Sequence, residues 1–368
     1  MVAPLARFEH GGDVYTAFGS RGNMIDFSAN LNPLGMPVEV VRAVRDAANS
    51  FDAYPDLQCR ALKRALADKL GVSDAHIVCA AGATDLIWRL CQAIRPHTAL
   101  VTAPTFSGYE QALERVGARV VRHRLREEEG FRVTGRILGE VPLSRARCDS
   151  GSNIVFLCSP NNPTGLTVGR DLVLSVLDAA RRSATVVVID ECFLDFTGEA
   201  SAVELCRDYP NLVVMRAFTK TYAMAGLRLG YGVCSDERLV RELEEAGQPW
   251  AVSTPAQVAG VAALGVDGWV ERTRVYVNAE RAILERGLYE LGMRVVPGEA
   301  NYLLFRGPIA LYEPLLERGF LIRRCENYQG LDEHWYRVAV RTGEENVALL
   351  QALSDITAVQ TQSGPGVG

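Results

Sequence analysis

The chain has 368 residues, 48% of them apolar and 23% charged, with a formal net charge of -5. That length can bury a sizeable core and build two domains, whereas the acidic balance and the lack of a basic run speak against a nucleic-acid partner. No apolar run approaches the ~20 residues of a bilayer span, and residues 1–7 carry no sustained apolar stretch of signal-peptide type, so a cytoplasmic protein is expected. The nine cysteines form no CxxC pair and no metal-like cluster. Several lie inside apolar runs, Cys158 among them, and read as small buried hydrophobes of a reducing compartment, with no metal site.

In chain order, residues 1–37 form an N-terminal segment expected to complete a smaller domain and the substrate site. Over 38–260, short Val/Ile-rich runs alternate with helical periods. The runs at 99–102, 119–121, 154–157, 185–189, 212–215 and 231–234 read as strands, and 172–182 as one of the intervening helices. Continuous apolar strands separated by helices imply an α/β fold whose mostly parallel sheet is covered on both faces. In such sheets ligands bind beyond the carboxyl ends of the strands. From about 265 a helical pattern runs through Glu290, followed by strand-like 302–305, 320–323 and 335–340, so 261–356 reads as a smaller α+β domain. Residues 357–368, ending Ser363-Gly364-Pro365-Gly366-Val367-Gly368, read as a disordered tail.

Chemistry-bearing residues cluster just past these strands. Lys220 follows the run 212–215, and Arg228 stands eight residues further on. That suits an amine attacking a cofactor aldehyde while the arginine holds an anion on the same cofactor. Asp190 closes the run 185–189, and Asn162 sits in the turn Ser159-Pro160-Asn161-Asn162-Pro163-Thr164-Gly165. Gly82-Ala83-Thr84 precedes an apparent helix, where backbone N–H groups bind phosphate well. Each feature alone has an ordinary structural reading: a cap for Asp190, turn chemistry for Asn162, a common turn for the Gly-Ala-Thr.

Taken together, these segments resemble the aspartate-aminotransferase superfamily, the fold type I enzymes that use pyridoxal 5'-phosphate. The resemblance implies Lys220, Asp190 and Asn162 as catalytic residues, with Asp190 at the ring nitrogen and Asn162 at the 3-oxygen. It assigns the cofactor phosphate to Gly82, Ala83, Thr84, Thr219 and Arg228, and ring stacking to Phe106, with Tyr109 as the other candidate. Tyr54 matches a tyrosine that reaches the neighbouring subunit's cofactor, which implies a homodimer. Ala217 stands where the family often has Ser or Thr, and Phe193 where it usually has Tyr.

Within that superfamily the segments His10-Gly11-Gly12, Ser28-Ala29-Asn30-Leu31-Asn32-Pro33-Leu34-Gly35 and Gln248-Pro249-Trp250-Ala251-Val252 resemble the threonine-phosphate decarboxylase branch of cobalamin biosynthesis. Phe193 is usual there, and Arg324 departs from it. The resemblance implies a small phosphorylated amino acid as substrate, held by His10, Asn32, Gly35, Arg323 and Arg337, and loss of its carboxylate as carbon dioxide. The related histidinol-phosphate aminotransferases are the alternative.

Overall fold

The computed structural model describes residues 11–18, 24–142, 153–183, 185–308 and 310–362. Its strands in chain order are β1 (Ile25–Asp26), β2 (Ile77–Ala80), β3 (Thr98–Ala103), β4 (Arg119–Arg124), β5 (Ile154–Cys158), β6 (Val186–Asp190), β7 (Leu212–Ala217) and β8 (Gly230–Val233), then β9 (Arg294–Val295), β10 (Tyr302–Arg306), β11 (Phe320–Leu321), β12 (Arg323–Arg324) and β13 (Trp335–Ala339). Seven form one sheet in the order β2-β8-β7-β6-β5-β3-β4. From β7 across to β4 every neighbouring pair is parallel, while β8 runs antiparallel to both β7 and β2. The mostly parallel sheet expected from the Val/Ile runs is present. The sequence reading missed β2, because a four-residue apolar stretch has too little periodicity to separate a strand from a helix end.

Every residue of β5 and β6 is buried, which requires cover on both faces. Side chains alternate between those faces. Val187 and Ile189 join Val155, Leu157 and Val214 in one core, completed by the helix Arg170–Arg181. Val186 and Val188 join Phe156, Val213 and Met215 in the other, beneath the helix Ala83–Ile94.

The reversed strand matters most for the site. Residues 218–229 link β7 to β8 without a long crossover helix, and a short link of that kind returns the chain antiparallel. Ala217 at the end of β7 therefore pairs with Gly230 at the start of β8. Lys220 and Arg228, near opposite ends of one connection, come to the same sheet edge at which Cys158 ends β5 and Asp190 ends β6.

The smaller part is an antiparallel sheet ordered β12-β13-β10-β9, packed on the helices Trp269–Glu290 and Gly343–Gln362. The N-terminal segment joins it. β1 pairs in parallel with β11, Phe27 lies in the same core, and the Ala339 N–H donates to the Phe27 carbonyl at 2.8 Å. The helix Thr254–Leu264 instead packs on the helices Val38–Asp46 and Arg60–Leu70 of the large part, so the division falls after Leu264 rather than at 260. The last helix continues to Gln362, beyond the 357 boundary expected for a tail, because Leu349, Leu353 and Ile356 anchor it in the core. Among the described residues no helix is long and apolar enough to cross a membrane, no group of acids, histidines and cysteines could hold a metal, and all the cysteines are free and buried.

A Cβ added at Gly230 would lie 2.7 Å from the Ala83 nitrogen and 2.8 Å from the Gly82 carbonyl carbon. Gly230→Ala must then push β8 off the turn that opens the helix Ala83–Ile94, and overpacking of this kind costs about 1–3 kcal/mol. Urea unfolding should register that loss. Gly226→Ala, with nothing within 4 Å of its Cβ, should stay within about 0.5 kcal/mol of the parent. Equal stability of the two variants would contradict this packing.

Candidate active site

The carboxyl ends of β5, β6 and β7 open into a cavity of about 270 Å³ whose walls include Asn162, Asp190, Thr219, Lys220, Arg228 and Arg337. Two larger clefts, of about 760 and 700 Å³, contain none of these residues. Convergent polar groups mark a site better than volume does.

Lys220 is half-buried in the short helix Phe218–Thr221. Its backbone is tied down from several directions. The Asn32 N–H donates to the Lys220 carbonyl at 3.1 Å. The next carbonyl, of Thr221, accepts from Asn32 Nδ2 at 2.6 Å and Trp269 Nε1 at 2.9 Å. The Thr221 hydroxyl donates to Asp195 at 2.9 Å, and Asp195 is ion-paired with Arg216. Burial first, and then the Arg337 guanidinium, lower the Lys220 amine to a pKa of about 8. A larger share of it is therefore neutral, the form that attacks a carbonyl.

Asp190 is buried. Its Oδ2 accepts from the Tyr109 hydroxyl at 2.6 Å and its Oδ1 from the Cys192 N–H at 2.9 Å. Burial raises its pKa above the usual carboxylate range, while hydrogen bonds from Cys192 and Tyr109 oppose that shift. A buried carboxylate of this kind calls for a cation in front of it.

The opposite end of the cavity is built for an anion. Gly82 has φ 86° and immediately precedes the helix Ala83–Ile94. A Cβ there would sit 2.7 Å from Arg228 Nη2, so glycine alone lets the guanidinium close over the turn. Helix-start N–H groups and a nearby arginine together favour phosphate, and Thr84 and Thr219 add hydroxyls to the same wall. Ala217 contributes only a methyl group. Pyridoxal phosphate fits this set of donors. The amine would take the aldehyde, Asp190 the ring nitrogen, and the Gly82–Arg228 cradle the phosphate. Phe106 lines the cavity and meets Tyr109 edge-on, with ring centroids 5.5 Å apart. Tyr109, the other candidate for stacking, is instead fully buried beneath Asp190.

The small sheet supplies the remaining wall. Arg337 is buried, and its Nη1 donates to Asn162 Oδ1 at 2.5 Å and its Nη2 to the Ser28 carbonyl at 2.6 Å. Both acceptors are neutral, and Nε has no hydrogen-bond partner among the described residues. Arg323, also buried, is the cross-strand partner of Arg337, one strand removed from it, and does not itself line the cavity. It donates to Asn327 Oδ1 at 2.8 Å and lies 5.5 Å from the Tyr328 ring centroid. Like charges directly opposite each other destabilise a strand pair, and an anion beside them relieves that repulsion.

Some expected contacts are not assembled here. Asn32 faces away from the cavity. Its amide is occupied by the Thr221 carbonyl, the Thr273 hydroxyl at 2.8 Å and the Leu34 N–H at 3.0 Å, so it serves the fold and not the substrate. Asn30, two residues earlier, lines the cavity instead, buried and with an Oδ1 that has no hydrogen-bond partner among the described residues. Nothing in the Asn-Leu-Asn sequence separates the two; only the partners across the fold do. Gly35 lies in the turn after Asn32, away from the cavity. His10 is outside the described residues. Tyr54 is 81% exposed and stacks on Trp250 with centroids 4.6 Å apart, outside this protomer's cavity. Arg324 points to the other side of β12, over Tyr312 at 4.9 Å and 3.7 Å from Glu326, and so does not touch the cavity wall.

Comparison with known proteins agrees with this geometry. A family model described as aminotransferase class I and II matches residues 22–353. A threonine-phosphate decarboxylase of Salmonella typhimurium is 37% identical over 356 residues, spanning 94% of this chain and 96% of that protein. A histidinol-phosphate aminotransferase of Moorella thermoacetica is 33% identical over 345 residues, 91% of this chain and 86% of the other. Among solved structures, the histidinol-phosphate aminotransferase from Clostridium acetobutylicum superposes with a TM-score of 0.82 at 28% identity, covering 90% of this chain and 99% of that one.

Because the neutral amine attacks, the rate at which apo-protein captures pyridoxal phosphate should rise with pH and level off above about 8. Arg337→Met removes a positive charge that disfavours the ammonium, so the inflection should move to higher pH. Stopped-flow absorbance measures both profiles. A parent profile still climbing at about pH 10, the range of an ordinary lysine, would contradict a depressed amine.

Proposed function

Since the chain belongs to the class I and II aminotransferase family and uses pyridoxal 5'-phosphate, we propose that it decarboxylates L-threonine O-3-phosphate to (R)-1-amino-2-propanol O-2-phosphate, a reaction of cobalamin biosynthesis. The observation that carries this reading is the pair of buried, cross-strand arginines, Arg323 and Arg337. A phospho-amino acid has two anionic groups for two guanidiniums; histidinol phosphate has one, although the 2-oxoglutarate that the aminotransferase reading pairs with it has two. The resemblance to the Salmonella decarboxylase supports the same choice.

In this reading Arg337 binds the substrate carboxylate by a two-pronged contact. Arg323 and Asn30 hold the phosphate, with His10 as the remaining donor that the resemblance implies. Asn162, bonded to Arg337, links the carboxylate anchor to the cofactor end of the cavity. When bound, pyridoxal phosphate supplies an aldehyde for the amine and a ring that draws electrons from Cα. Asp190 keeps that ring positively charged. Two fixed anions decide which bond at Cα stands perpendicular to the ring, and remote phosphate binding provides the energy that enforces the orientation. The Cα–carboxylate bond breaks, carbon dioxide leaves, and Lys220 delivers a proton from Nζ to Cα. Phe193 lines the cavity with its ring centroid 5.9 Å from Lys220 Nζ. It offers no phenol to compete for that proton.

The active unit in this reading is a homodimer. Tyr54, Leu57 and Trp250 are 81%, 57% and 45% exposed in one protomer, and large apolar groups in such company mark an interaction surface. Tyr54 would reach the partner's cofactor phosphate from there.

Holo-protein given L-threonine phosphate should release carbon dioxide without a 2-oxo acid. The competing reading, favoured by the likeness to the Moorella aminotransferase, requires glutamate from histidinol phosphate and 2-oxoglutarate. Glutamate formation with no carbon dioxide from threonine phosphate would overturn the decarboxylase assignment.

A further inference from the structure

The acid that ends β6 has a second buried group at its back. Tyr109 belongs to the helix Gly108–Arg115 and is 0% exposed. Its ring stacks on Phe156 with centroids 4.8 Å apart and planes inclined by 15°. Its hydroxyl donates to Asp190 Oδ2 at 2.6 Å. Phenylalanine would fill the same space without a polar atom to desolvate, so the hydroxyl adds nothing to packing and is costly unless bonded. What it adds is a hydrogen bond to the acid.

Asp190 Oδ1 meanwhile accepts from the Cys192 N–H at 2.9 Å. A carboxylate oxygen has two lone pairs, so each still has room for a donor on the cavity side. We propose that Tyr109 is a positioning residue of the catalytic machinery, whose hydroxyl holds Asp190 in the orientation and the charged state that keep the cofactor's ring nitrogen protonated. The proposal rests on the cofactor assignment and not on the choice of substrate.

The physical reason is a competition for one proton. Between a carboxylate and a ring nitrogen in a dry site, a neutral acid–base pair competes with the charged one, because charge separation is costly there. Burial makes Asp190 more basic, and a hydrogen bond donated to the carboxylate makes it less so. Tyr109 is itself pushed well above its usual pKa, by burial and then by the charge of Asp190, so it remains an O–H donor. The other titratable neighbours acting on Asp190 are Cys192 and Lys220. Without the phenol the proton moves toward the acid, and an uncharged ring draws electrons from Cα poorly.

The test uses holo-protein loaded with pyridoxal phosphate carrying ¹⁵N in the ring, because the nitrogen chemical shift reports its protonation directly. The parent should give a pyridinium shift. Tyr109→Phe, which keeps the ring and its stacking, should move toward the neutral pyridine value. Its kcat should fall about 10–100-fold with KM within about threefold of the parent. Phe156→Leu disturbs the stacking but leaves the hydroxyl, and should keep the pyridinium shift. An unchanged shift in Tyr109→Phe would overturn the role, and so would an equal displacement in Phe156→Leu. A parent that takes up no labelled cofactor would overturn the cofactor assignment itself and this proposal with it.

Discussion

Taking a titratable group out of water disfavours its charged form, and at this sheet edge that single cost has opposite consequences for two neighbouring residues. For Lys220 it is useful, since the amine is wanted neutral, and the guanidinium of Arg337 pushes in the same direction. For Asp190 it is harmful, since the acid is wanted charged, and hydrogen bonds from Tyr109 and Cys192 counter it. The pair can share one dry wall because each receives a different set of neighbours: a cation for the amine, donors for the acid. Neither could work at the surface, where water would return both to ordinary values.

Placing those groups together depends on how the chain returns to the sheet. A conventional crossover after β7 would carry the chain back to the far edge before the next parallel strand began. The short link 218–229 instead enters β8 antiparallel, so the amine and the phosphate arginine are delivered to one edge by one connection. That connection has little regular structure of its own, and the N-terminal segment stabilises it. Asn32 bonds to two successive carbonyls, at Lys220 and Thr221. The same segment pairs with β11 in a separate two-stranded sheet, and β11 leads directly into β12, where Arg323 lies opposite Arg337 of the small sheet. One stretch of chain therefore aligns the substrate wall with the reactive amine.

Much of this was legible in the sequence, for identifiable reasons. Buried parallel strands must be continuously apolar, so β5, β6 and β7 announce themselves, and Asp190 and Lys220 stand out as the polar residues that follow. Gly82 fits a phosphate cradle only in the company of Lys220 and Arg228, since a glycine before a helix start is common by itself. What was not legible depends on tertiary partners. Asn30 lines the cavity where Asn32 was expected, although both are buried amides in the same turn and differ only in what packs against them. Tyr109 read only as the second candidate, after Phe106, for stacking on the cofactor, because an aromatic after a strand gives no sign of which way its hydroxyl will face. β2 was too short to declare its type. The tail boundary failed because polar composition near residue 357 hides the apolar anchors Leu349, Leu353 and Ile356 just before it.

The central claim is that one half-buried lysine, Lys220, carries the cofactor. Borohydride reduction of the purified, cofactor-loaded protein, followed by peptide mass analysis, tests it most directly. The account requires a single pyridoxyl adduct on the peptide that contains Lys220, with loss of the yellow absorbance on reduction. A colourless protein, or an adduct confined to other lysines, would contradict it.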